Sequence, residues 1–178
     1  MSDKNVTKEI LSWVICIAVA VVIGLLIVNF GLQRTIVDGR SMYTTLDTGD
    51  NLWVEKLSKN FNKLKRGNII TVHVDDEEID PLIKRIIALP GETIEIKGDD
   101  VYIDGEKLEE DYLTFSDNTS QNGEYDGLKV TLADDEYFVM GDNRGNSYDC
   151  RALGPVKKDA IIGRAFFRFY PFNKMGTI

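Results

Sequence analysis

Ser41 stands in GRSMYTTLDTGD, residues 39–50, after a glycine turn and before a methionine. A serine so placed can act as a nucleophile only if another side chain takes its proton. Three kinds of base are available: the single histidine, His73, a carboxylate, or a lysine. In TVHVDDEE, 71–78, strand alternation puts Val72 and Val74 on one face and Thr71, His73 and Asp75 on the other. His73 is therefore expected to be solvated beside acids and to be a poor base. In DPLIKRIIALPGE, 80–92, the same alternation groups Leu82, Lys84 and Ile86 on one face and Ile83, Arg85 and Ile87 on the other. An ammonium buried among such aliphatic residues is destabilised, and its pKa falls from about 10.4 toward the range useful at neutral pH. A guanidinium stays charged, so Arg85 cannot serve. Lys84 is the candidate base, although the pattern alone also allows it to reach from a strand edge into water.

These side chains need a scaffold, and most of the chain reads as short strands. RTIV, NLWVEKL, NIITVHV, LIKRIIAL, ETIEIK, DVYID, GLKVTL, EYFVM and AIIGRAFFRFY are rich in β-branched and aromatic residues. Turn signals such as TGD, PGE, KGDD, DGE and GDNRGN separate them. The expectation is a mostly β domain of coiled antiparallel sheets over residues 31–178, with a polar surface excursion at 109–127. Ahead of it, residues 10–30 run 21 positions without a charge, enough to cross a bilayer as a helix. The A-x-A of Ala18 and Ala20 sits inside this run rather than after it, so a retained anchor is expected rather than a cleaved leader. Residues 1–9 form a short tail; Lys4 and Lys8 in it are set against Arg34 and Arg40 beyond the run, and the amino group and the tail's shortness favour a cytoplasmic N-terminus and an extracytoplasmic domain.

Of the 178 residues 43% are hydrophobic, and the net charge is −8. The first thirty residues are neutral, so the acidity belongs to the domain and argues against nucleic acid as a partner. Cys16 lies in the apolar run and Cys150 far outside it, so they cannot pair within one chain.

Taken together, GRSMYTTL after an anchor, KRIIALPGE about forty residues later and YFVMGDNRGNSYDCR near the end resemble the bacterial, single-anchor type I signal peptidases. The resemblance runs from the anchor through GRAFFRFYPF. It implies a plasma-membrane serine endopeptidase that removes signal peptides from exported preproteins. By that likeness Ser41 matches the nucleophile and Lys84 the general base, a Ser–Lys variant of triad logic. Ser147 matches a hydroxyl that helps hold the lysine, while Asp149 and Arg151 match ionic residues that fix the site. Asp142 and Arg144 belong to the same signature, and Arg85 is expected to pair with a carboxylate. The backbone N–H of Ser41 is the expected oxyanion donor, and Gly39 occupies a position where part of the family has a second, hydroxyl donor. The family cleaves after small residues, which makes Val37, Met42, Leu46 and Ile83 candidate pocket walls. The edges at Asp38 and Leu82 are candidate pairing partners for an extended substrate. The resemblance implies no cofactor and no metal.

Two departures stand out. Cys150 replaces a serine common in the last motif, and Thr44 stands where a proline is frequent after the SM pair. Two other readings compete: a thiol hydrolase using Cys150 with His73, and an anchored β module that binds partners without turnover.

Overall fold

The computed structural model describes residues 3–73, 81–113 and 118–178. Helix α1, Asp3–Phe30, begins inside the predicted tail and continues through the apolar run. Its segment Lys8–Leu25 has a mean hydropathy of 2.2 and none of it is buried, so by length and composition it can cross a membrane. Apolar side chains such as Ile10, Trp13 and Ile17 are exposed along it, which water would not tolerate but lipid would.

The rest is built from antiparallel strands. In chain order they are β1 (Leu32–Ile36), β2 (Asn51–Glu55), β3 (Ile69–Val72), β4 (Leu82–Ala88), β5 (Thr93–Lys97) and β6 (Asp100–Ile103). There follow β7 (Glu106–Lys107), β8 (Lys129–Thr131), β9 (Glu136–Met140), β10 (Val156–Lys157), β11 (Ile161–Tyr170) and β12 (Gly176–Thr177). Each of the nine runs read from sequence overlaps one of these strands; the two-residue pairs β7, β10 and β12 have too little pattern to be read. One-turn helices α2 (Leu57–Asn60) and α3 (Cys150–Leu153) interrupt the connections.

Among the described residues the strands form two sheets. The larger runs β1-β2-β11-β3-β4-β9-β10 with β12 beside β11, and the smaller runs β7-β6-β5-β8. Strand β11 is bent by register shifts at three places, the local twist that curls a long sheet. It also passes close to β2 at Gly163, where a Cβ would sit 2.5 Å from the Glu55 carbonyl oxygen.

Strands β3 and β4 are central and buried on both faces. One core gathers Ile70, Val72, Ile86, Ile87 and Met140, and a second gathers Val37, Met42, Leu46, Leu52, Ile69 and Ile83. This placement overturns one expectation: Thr71 is 1% exposed rather than sharing a wet face with His73. Its face packs against the second core, so only His73, past the strand's end, is exposed. The predicted positions of Val74 and Asp75 lie outside the described residues.

The stretch 109–127 is more than a surface excursion. Thr119 and Ser120 are buried, and Glu110 pairs with buried Arg144. Polar composition suggested solvent there, but these groups satisfy arginines that the sheet cannot. Residues 114–117 of the excursion lie outside the described residues.

Candidate active site

Strand β4 carries Lys84 and the loop after β1 carries Ser41. Lys84 Nζ donates a hydrogen bond to Ser41 Oγ at 2.7 Å across 43 residues of chain. The lysine is 3% exposed, with Val72, Leu82, Val139 and Cys150 lining the cavity at its side. Burial drives its pKa from 10.5 to about 8. Arg151 pushes the same way, while the Asp149 carboxylate, the largest opposing influence, keeps it from falling further. The alternative of a snorkelling strand-edge lysine is thereby excluded.

Ser41 is held by loop closure. Its carbonyl accepts the Asn143 N–H at 2.9 Å, and Asn143 Nδ2 donates to the Arg40 carbonyl at 3.0 Å. Gly141 makes this approach possible. A Cβ there would lie 2.4 Å from the Ser41 carbonyl oxygen and 2.3 Å from Ser147 Oγ.

Arg85, one residue past Lys84, points to the other side of β4. Its guanidinium forms a two-pronged pair with Asp142 at 2.8 and 2.7 Å and lies 4.1 Å from the centre of the Tyr112 ring. Thr45 Oγ1 completes the Asp142 carboxylate at 2.6 Å, which ties the nucleophile loop to β4. The expected carboxylate partner of Arg85 is thus Asp142.

Asp149 caps α3 by accepting the Arg151 N–H, and also accepts the Gly141 N–H at 3.0 Å. Arg151 binds it through Nε at 2.9 Å and Nη2 at 2.8 Å. Burial alone raises the Asp149 carboxyl pKa, but Arg151 and the Gly141 N–H outweigh it and hold the group below its ordinary value. Arg144 donates through Nε to the Gly141 carbonyl and through Nη1 to Thr119 Oγ1, besides pairing with Glu110. Glu110, Thr119, Thr45 and Tyr112 were not singled out from sequence. No local pattern marks them, because their partners are distant in the chain.

Three expectations need amendment. Ser147 does not hydrogen-bond Lys84: among the described residues its buried Oγ has no partner of good hydrogen-bond geometry, and it lies near enough to Asp149 to favour that carboxylate's charge. Leu46 is fully buried in the second core and does not border the groove beside Ser41. Gly39 does not border it either; it makes a turn at φ +88° and its carbonyl accepts from Thr48 Oγ1. Val37, Asp38, Met42, Leu82 and Ile83 do line that groove, about 690 Å³ in volume, together with Ser41 and Lys84.

The geometry also speaks against a thiol enzyme. Cys150 is 2% exposed, its Sγ accepts the Val139 N–H, and burial pushes its pKa up to about 12. It is a thiol, not a thiolate, at working pH.

The family model described as signal peptidase, peptidase S26, matches residues 10–170. Signal peptidase I S of Bacillus subtilis (strain 168) is 42% identical over 183 residues, with 98% of each chain covered. A signal peptidase I of Bacillus amyloliquefaciens is 39% identical over 182 residues, with 98% of this chain and 97% of the relative covered. Among solved structures, a signal peptidase I from Enterococcus faecalis V583 matches at 34% identity and a TM-score of 0.45, over 57% of this chain and 96% of that one. By the extent of the family-model match and of the two Bacillus relatives, the chain belongs to the signal peptidase family, peptidase S26.

Proposed function

We propose that the family's activity, cleavage of signal peptides from preproteins at a membrane, is carried in this chain by Ser41 as nucleophile and Lys84 as general base. The observation that carries this is the 2.7 Å contact between a hydroxyl and an amine whose pKa lies near 8. A substantial fraction of that amine is neutral near pH 8 and can accept a proton.

In the forward step the neutral Lys84 amine takes the Ser41 proton as Oγ bonds to the scissile carbonyl carbon. Negative charge develops on the carbonyl oxygen, and the Ser41 backbone N–H is the donor in reach. Collapse breaks the C–N bond, and the Lys84 ammonium passes its proton to the departing amine, the new N-terminus of the mature protein. The amine, neutral again, then deprotonates a water that attacks the Ser41 ester. The signal peptide leaves with a carboxylate, and Ser41 regains its proton. Arg85, Asp142, Asp149 and Arg151 act by position: they hold the loop, β4 and α3 together and set the charge around the amine.

The substrate runs extended along the Asp38 and Leu82 edges, with small side chains before the bond entering the groove walled by Val37, Met42 and Ile83. Helix α1 anchors the chain in the plasma membrane with Lys4 and Lys8 on the cytoplasmic side and residues 31–178 outside. The pockets and the orientation rest on the family likeness, the groove lining and the lysine positions. The test is cleavage of a preprotein by detergent-solubilised wild type, Ser41→Ala and Lys84→Ala. Loss in both variants with an unchanged melting transition is expected, and residual turnover near wild type in either refutes the dyad.

A further inference from the structure

The wall of the groove beside Ser41 holds one misfit. Thr71 lies in β3 directly opposite Ile83 of β4, and residues so paired share a face. That face belongs to the second apolar core, with Ile69 and Ile83. Thr71 is 1% exposed and borders the same groove as Ser41, Met42 and Lys84. Its Oγ1 has no hydrogen-bond partner among the described residues.

A buried hydroxyl left unpaired is costly, and valine would fill the same volume without that cost. The hydroxyl is therefore a feature that the apolar wall does not need for packing.

We propose that Thr71 Oγ1 recognises a small hydroxyl-bearing residue, serine first, in the part of the signal peptide that precedes the cleaved bond. This rests on the Ser41–Lys84 reading and adds a substrate preference to it. An all-apolar pocket accepts alanine and discriminates against serine, whose hydroxyl loses its water bonds with nothing in return. With Thr71 in the wall, a serine Oγ donates to Thr71 Oγ1 or accepts its proton, and both groups are satisfied at once. Alanine leaves the threonine as it stands in the free protein.

The test uses the full chain in detergent and peptides that differ only in alanine or serine, at the first or the third position before the bond. The readout is the serine-to-alanine ratio of kcat/KM. Thr71→Val is expected to lower that ratio about fivefold at one of the two positions, the central value for one neutral hydrogen bond, while Thr71→Ser keeps it. The position that responds identifies the pocket. A ratio within twofold of wild type at both positions overturns the proposal. Should Thr71→Val fail to fold, the contrast between Thr71→Ala and Thr71→Ser reads the same quantity. Wild type that cleaves both peptides while the ratio ignores Thr71 sinks this inference alone; wild type that cleaves neither sinks the peptidase reading beneath it.

Discussion

The pKa of Lys84 makes a quantitative prediction for the pH dependence of cleavage. With the amine at about 8, roughly one molecule in eleven is competent at pH 7, half at pH 8 and ten in eleven at pH 9. The profile of kcat/KM, which reports the free enzyme, should therefore rise with a midpoint near 8. Substrate filling the groove removes more water from the amine, so the limb for kcat should lie at or below that midpoint. His73→Gln should leave the limb in place, since His73 is exposed beyond the end of β3 and the proposed base is Lys84. Lys84→Ala should remove the limb and cost at least 10²–10⁴-fold, the range typical of a lost general base. Stability reads the same group independently. A fall from 10.5 to about 8 corresponds to about 3 kcal/mol. Between those values the unfolded chain binds the proton that the folded chain has lost, so stability rises with pH there, and below pH 8 the full penalty applies. Thermal melts in detergent from pH 7 to 10.5 should show that gain in wild type and lack it in Lys84→Met. A rate midpoint near 10, or one that moves when His73 is replaced, would refute the assignment of the base.

Four further outcomes follow from the same geometry. Gly141→Ala drives a Cβ into the Ser41 carbonyl, so kcat should fall about 100-fold for a displacement near 1 Å, with a smaller loss of melting temperature. Arg85→Met strands the Asp142 carboxylate and should destabilise by about 3–5 kcal/mol in urea titrations, whereas Arg85→Met with Asp142→Leu should cost clearly less than the sum of the two single changes. Asp149→Asn removes the largest influence holding the Lys84 pKa up, so the surviving activity should show its ascending limb at lower pH. Cys150 should resist iodoacetamide in the native state, and Cys150→Ser should keep activity within a few fold.

The contrast between Lys84 and Thr71 shows where local pattern ends. For β4 the pattern pointed the right way without deciding, because a lysine and an arginine alternating among large aliphatic residues must each find an answer to burial or reach water at an edge. Lys84 answers by shedding its charge and Arg85 by pairing with Asp142. For β3 the same period-two rule failed, because a strand with cores on both faces has no wet side against which to sort its residues. Likewise Leu46 read as a pocket wall but is fully buried behind the groove, and Ser147 read as a partner of the lysine but makes no hydrogen bond to it.

By itself, the amino-acid sequence determined the apolar anchor, the β character of the domain and the identity of the nucleophile and base as candidates. The anchor and the strands follow from composition and spacing within a few residues, where periodicity and charge act, whereas Ser41 and Lys84 are marked as a pair by the resemblance that three ordered motifs carry. Only the tertiary structure decided that Ser41 and Lys84 meet at 2.7 Å, that Glu110 and Thr119 satisfy Arg144, and that Thr71 faces the groove. Each depends on contacts between segments tens of residues apart, and such contacts are set by how sheets curl and pack rather than by any stretch of chain read alone.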